Sequence, residues 1–321
     1  MVIMQQKHDG SFKTMIGGQA LIEGILMRGV DKQAVVVRTE NGMVTKVDEL
    51  HPAKEKHPWL GWPLVRGVVN FFDALVQGMK ALTYSASQAP EEMQDKPSKL
   101  DLWIEKHFGM EKAEKFAIGC AVVLGTCMAL GLFIFLPTLL VGFLGLTDRD
   151  VLRSLLEGLV KLVIFFGYLY GCSRMKDIRR LFSYHGAEHK TIFCYEHGKD
   201  LTVENVRPES RLHPRCGTSF LFVVIFLSII VFIIVNAFLG VSNTFLRMLL
   251  KLFLLPVVVA LSYELHRWAG RHDDLWISRA LTWPGRQLQR LTTNEPDDSM
   301  IEVAITALKL VIPDQKGADA W

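Results

Sequence analysis

Cysteine is scarce in this chain. Five residues among 321, an odd number with no framework spacing, exclude a disulfide scaffold. An excess of one charge is also missing: the net charge is +3 and dispersed. There is no basic footprint of the kind nucleic-acid binding requires, so nucleic acid is excluded as a partner. The opening M-V-I-M-Q-Q-K-H-D-G has no apolar core long enough for a secretory signal, so the first domain is expected to stay in the cytoplasm. Apolar sequence, by contrast, is plentiful. Hydrophobic residues make up 50% of the chain, and their gathering into blocks points to a membrane protein.

Four blocks read as transmembrane helices: residues 116–146, which contain Pro137, and residues 151–172, 219–240 and about 248–263. Arg153, Glu157 and Lys161 recur at four-residue steps on one face of the second. That spacing suits a charge ladder near the interface and leaves a bundle-facing role open. The loop 173–218 carries Arg174, Lys176, Arg179, Arg180, Lys190 and further basic residues, while the turn at 147–150 and the linker at 241–245 are nearly free of them. The positive-inside rule then places the loop and both termini on the cytoplasmic side of the membrane. Thiols in that loop would stay reduced and able to bind metal.

Outside the membrane, residues 34–47, A-V-V-V-R-T-E-N-G-M-V-T-K-V, read as a β-hairpin turning at Asn41-Gly42. Residues 65–87 read as an amphipathic helix, lying on the bilayer or packed on the membrane helices. A polar, proline-bounded linker follows at 89–99. Pro296, Asp297 and Asp298 mark a helix start, with Glu295 either part of that capping or functional. The expected fold is a mainly α integral membrane protein of about four transmembrane helices. Its domains are an N-terminal α+β region (1–87), a linker and pre-membrane helix (88–115), the bundle with its loop (116–265) and a helical tail (266–321). Gln19, Glu23 and Arg28 stand out in the apolar run G-G-Q-A-L-I-E-G-I-L-M-R-G. They read as a buried Glu23–Arg28 pair or as groups lining a site.

The chemistry concentrates in S-Y-H-G-A-E-H-K-T-I-F-C-Y-E, residues 183–196. On a helix His185, Glu188 and His189 share one face, so two imidazoles reach one metal ion and the carboxylate can hold or deprotonate a water. H-x-x-E-H is also the inverted zincin pattern, in which a later glutamate completes the ligands. Glu264 is the first choice for that role and Glu196 the second. His213 and Cys216, in H-P-R-C-G, are the rival ligands. If His185, His189, His213 and Cys216 all bind one ion, the shell is closed and the site structural. Hydrogen-bonded histidines without any metal are the third reading.

Five segments carry a resemblance: G-G-Q-A-L-I-E-G-I-L-M-R-G, R-G-V-V-N-F-F-D-A-L-V-Q-G, Y-H-G-A-E-H-K-T-I, H-P-R-C-G-T-S-F and N-E-P-D-D-S-M-I-E-V-A-I. Through them, and over nearly its whole length, the chain resembles the YqhQ-like family of bacterial membrane proteins, domain-of-unknown-function family 1385. The family is labelled a predicted metal-dependent enzyme, which implies His185, Glu188, His189, His213 and Cys216 as site residues. The expected activity is therefore a membrane-embedded hydrolase holding a divalent metal, zinc by the softness of its ligands, with Glu188 as general base. The alternative is a non-enzymatic membrane scaffold or transport component built round a structural metal. Membrane lipids are the expected partners, the substrate is left unassigned, and a homo-oligomer stays open.

Overall fold

A computed structural model describes residues 12–88, 110–145, 150–272, 274–315 and 317–321. The N-terminal ten residues, the linker at 89–99 and residues 147–149 of the expected turn lie outside them. The chain divides into two compact units. One holds the described residues of Met1–Pro90, Leu169–Phe226 and Pro256–Trp321, the other those of Glu91–Tyr168 and Leu227–Leu255.

The first unit is built on an antiparallel sheet of four strands in sequence order, β1 (Gly17–Leu21), β2 (Gly24–Arg28), β3 (Lys32–Thr39) and β4 (Gly42–Glu49). The expected hairpin is β3–β4. Thr39 pairs with Gly42, so the two-residue loop is Glu40-Asn41, and Gly42 takes the positive φ of +120°. Two further strands stand where the glycine-rich run was read only as a short packed segment. Ile25, Met27, Ala34 and Val36 face one side of the sheet, against the helices α5 (Lys176–Glu196) and α9 (Asp298–Val311). Leu21, Leu26, Val35 and Val37 face the other, against α1 (Val65–Gln88). Because β2 is covered on both faces, its side chains show no polar alternation.

Glu23 sits in the β1–β2 turn with φ +53°, which is unfavourable for a side chain of its size. Its buried carboxylate holds it there. It accepts from Arg180 (Nη2–Oε2 2.7 Å), from Arg38 and from the Tyr184 hydroxyl (3.1 Å). The expected Glu23–Arg28 pair is not made, because Arg28 reaches out to Asp73 on α1 instead. Burial would raise the Glu23 carboxyl pKa, yet the Arg180 and Tyr184 hydrogen bonds and the charge of Arg38 bring it below the ordinary value of 4.5. A depressed folded-state pKa stabilises the fold above the unfolded value, and that contribution is lost as pH falls through it. Glu23→Gln is expected to cost about 2 kcal/mol at neutral pH, the scale of hydrogen bonds to a charged group. Thermal melts should show the gap between wild type and variant closing below pH 4.5; a constant gap would mean the carboxylate is not the source.

Four helices are long and apolar enough to cross a membrane, over Phe116–Gly142, Val151–Arg174, Gly217–Leu239 and Thr244–Arg271. The protein is a helical membrane protein. The first of these comprises α2 (Met110–Leu130), a π turn (Gly131–Phe135) and α3 (Leu136–Gly142); the others are α4 (Asp150–Arg174), α6 (Gly217–Leu239) and α7 (Thr244–Arg271). The π turn ends two residues before Pro137, which has no N–H to donate to the carbonyl four residues back and whose ring crowds that carbonyl in an α turn. Lastly α8 (Trp276–Thr292) leads into α9, which Asp297 caps by accepting from the Met300 N–H at 3.0 Å. The expected helix start at 296–298 is therefore present.

Candidate metal centre

Much of the presumed loop 173–218 is helix. α5 begins one residue after α4 ends, with Met175 extended between them. Its buried face carries Tyr184, Ala187, Glu188 and Ile192 into the sheet unit. That burial fixes which way the histidines point.

His185 and His189, one turn apart, have ring centroids 4.3 Å apart. His185 Nδ1 lies 2.8 Å from the Thr292 carbonyl and His189 Nδ1 2.6 Å from the Arg211 carbonyl. A carbonyl only accepts, so each Nδ1 carries the proton and each Nε2 is turned towards the same place. The Thr292 carbonyl is available because α8 ends there and its last carbonyls have no partner within the helix. Arg211 is tied in turn to the Thr293 carbonyl and to Glu295, which also meets Lys190 at 2.8 Å. Glu295 therefore steadies the segment that orients His189, a role beyond capping.

Cys216 completes the group. Its Sγ is 3.1 Å from His185 Nε2, and the ligating atoms of His185, His189 and Cys216 all lie within 4.8 Å of one another. His189 Nε2 and Glu188 Oε2 are buried with no hydrogen-bond partner. Two orphaned polar atoms beside a thiol, all shielded from solvent, have the donor set and the unsatisfied valence that a cation would fill. Burial would raise the Cys216 thiol pKa, but His185 and His189 pull it well below the usual range. His185 is drawn the opposite way. Burial would lower it, yet Cys216, Glu188 and the Thr292 carbonyl raise it to about 9. Burial pushes the Glu188 carboxyl pKa upward, against the lowering pull of His189, His185 and the Gly18 N–H that it accepts. β1 passes so close that a Cβ on Gly18 would stand 3.0 Å from Glu188 Cδ and 2.7 Å from the Leu26 carbonyl oxygen.

Three residues considered as ligands are committed elsewhere. His213 accepts the Arg215 N–H on Nδ1 and meets Glu196 Oε2 with Nε2, both at 3.4 Å, so neither nitrogen is left for a metal. Burial, only partly offset by Glu196, holds it down at about 4, and it is neutral. Glu264, the first choice for the further ligand, forms a two-point ion pair with Arg66 (Nε–Oε1 2.7 Å) and accepts the Leu64 N–H. Glu196 receives the Thr14 N–H, His213 and Arg215. The four-ligand closed shell of His185, His189, His213 and Cys216 is therefore not assembled. Sequence reasoning missed the two carbonyls that set the histidine tautomers and the approach of Gly18; the paired glycines at 17–18 were the only sign.

The chain from residue 62 to 314 matches the family described as "Protein of unknown function (DUF1385)". The chain belongs to this family. Every residue of the cluster falls inside the DUF1385 match, whereas all four strands precede it. The chain is also similar to the uncharacterized protein YqhQ of Bacillus subtilis (strain 168), 33% identical over 298 residues that cover 90% of this chain and 89% of that protein. No solved structure matches the chain.

Proposed function

We propose that the protein is a membrane-embedded, metal-dependent hydrolase whose divalent metal, zinc by ligand type, is held by His185 Nε2, His189 Nε2 and Cys216 Sγ. The convergence of these three atoms within 4.8 Å, beside a buried and unpartnered Glu188 Oε2, supports it. Three protein ligands with a position left over are the pattern of catalytic zinc, and a bound zinc supplies a Lewis acid that makes water a nucleophile near neutral pH. The chain's own residues do the rest. The Thr292 and Arg211 carbonyls hold both imidazoles in the ligating tautomer, and Gly18 N–H steadies the carboxylate so that Glu188 Oε2 takes the proton from water and returns it to the leaving group. By the positive-inside rule the cluster faces the cytoplasm of a bacterial cell, where Cys216 stays reduced.

The near-complete burial of His189 and Cys216 favours a second reading: a non-enzymatic scaffold in which the same ion staples α5 to the start of α6. Elemental analysis of detergent-purified protein tests what both share. About one zinc per chain is expected in wild type, and none in a His185→Ala/His189→Ala variant. Well-folded wild type without stoichiometric metal removes both readings.

A further inference from the structure

Tryptophan is well buried on average in folded proteins, yet the first unit leaves five exposed: Trp59 (53%), Trp62 (65%), Trp268 (37%), Trp276 (76%) and Trp283 (57%). The chain and its contacts draw them to one end of the membrane-spanning helices α6 and α7. Trp268 stands in the last turn of α7, and Trp276 opens α8 shortly after it. Along α8, a Cβ on Gly285 would stand 2.7 Å from Ser219 Cα, so this helix lies against the start of α6. Trp59 and Trp62 precede α1. The Trp62 carbonyl accepts the Arg66 N–H at 2.9 Å, and both the Arg66 guanidinium and the Leu64 N–H donate to Glu264 on α7.

The helix that follows, α1, is packed inside out compared with one that faces water. Its polar flank is turned to the protein: Asp73 pairs with Arg28, Asn70 Nδ2 donates to the Tyr263 hydroxyl at 2.7 Å, and Arg66 pairs with Glu264. Gly67 brings it so near α7 that a Cβ would stand 2.8 Å from Tyr263 Cβ, and Phe71 meets Phe220 at the start of α6 with ring centroids 6.2 Å apart. Gly67, Gly78, Ala81 and Ser85 form its buried face. On the opposite face Phe72, Leu75, Val76 and Met79 are all exposed. Their spacing of i, i+3, i+4 and i+7 makes one uncharged stripe. A helix facing water would present its charges there.

We propose that α1 and α8 form a collar that seats the first unit in the surface of the bilayer crossed by α6 and α7. The exposed indoles lie at headgroup depth, and Phe72, Leu75, Val76 and Met79 lie in the acyl boundary. Indoles collect at membrane–water interfaces because the ring is apolar and its N–H seeks a polar partner. An apolar helix face is stable at that depth when its polar flank is satisfied elsewhere, and here the protein satisfies it. Lipid is favoured over a second copy of the chain because the stripe starts one residue beyond Phe71, where α1 already lies on a span. Of the two arrangements open to residues 65–87, the helix thus takes both: it packs on the membrane helices and lies on the bilayer. The inference makes no use of the metal centre.

The test uses the full chain in phosphatidylcholine–phosphatidylglycerol nanodiscs, with the photoreactive residue p-benzoylphenylalanine in place of Leu75. A second sample carries it in place of Glu302, exposed on α9, which covers the other face of the sheet. Both replacements are made at exposed positions, so the fold is retained. After irradiation, mass spectrometry should find a phospholipid adduct at position 75 and none at 302. Leu75→Asp should speed amide exchange in α1 by at least about tenfold and leave α9 unchanged, because lipid expels a carboxylate that water would accept. If Leu75→Asp does not fold, Leu75→Ser is held to the same direction of change. A crosslink from position 75 to a second chain or to another segment of its own chain overturns the proposal. So does the absence of a lipid adduct, an equal yield at 302, or unchanged exchange in a folded polar variant.

Discussion

Glu188→Gln is expected to keep the metal content and melting temperature of wild type and to lose hydrolysis by about 10²–10⁴-fold, the range general acid–base catalysis contributes. Glutamine keeps the shape of the side chain and still accepts the Gly18 N–H. What it removes is the ability of the free oxygen, Oε2, to take a proton. Neither imidazole depends on that oxygen, since Thr292 and Arg211 hold them. The measurement pairs elemental analysis with turnover of whichever ester or amide probe the wild type hydrolyses. Loss of the metal would make Glu188 a ligand rather than a base, and turnover at the wild-type rate would leave it no part in the chemistry.

Gly186→Ala should be the most damaging single methyl in the first unit, destabilising it by about 3 kcal/mol, the upper end of overpacking costs. A Cβ there would overlap the Asn294 carbonyl oxygen and stand 3.5 Å from Pro296 Cδ. The obstacle is backbone, which cannot rotate aside. It is also pinned: Asn294 N–H donates to the Phe182 carbonyl and its Nδ2 to the Arg179 carbonyl, both at 2.9 Å. Pushing this segment off α5 moves the neighbouring Thr292 carbonyl as well, so metal affinity should fall by about 10–100-fold along with stability. Gly171→Ala is the control. It too is helical but has nothing within 4 Å of its added methyl, so neutrality or slight stabilisation is expected. Equal damage from both would show that the Asn294 contact is not the cause.

The membrane helices were legible because a run of apolar residues needs no partner to declare itself, and the histidine pair because a helix places residues one turn apart on one face. Cys216 was a named candidate. Its separation from His213, three positions away in one short segment, was not readable. Which of the two reaches the imidazoles depends on Glu196 and Arg215, themselves placed by packing between distant segments. Glu264 looked like a ligand while Arg66, far away in sequence, could not be seen to claim it. β1 and β2 escaped for a different reason. β2 is buried on both faces and so has no alternation, β1 is a short strand opening on two exposed glycines, and Glu23 in their turn is held in an unfavourable conformation by Arg180 from α5 rather than by any local preference. The buried charges of α4 likewise required two helices, because Glu157 also accepts from Arg247 and Lys251. Arg153, Glu157 and Lys161 form a plausible surface ladder until Arg247 and Lys251 arrive from α7.

The first unit is closed by hydrogen bonds between its most distant segments, including Thr14 Oγ1 to Asp319 Oδ2 across 305 positions and the Trp321 N–H to the Lys13 carbonyl. Synthesis makes that closure a matter of timing. At about 5–20 residues per second, the strand bearing Gly18 waits about 15–60 s for the segment bearing Thr292 and Asp319, while all four apolar helices are made in between. His185 thus gains the Thr292 carbonyl only after all four membrane helices exist, whereas Gly18 and Arg211, which support Glu188 and His189, are made before the last two, so a chain stalled during insertion carries one oriented imidazole and one that is not.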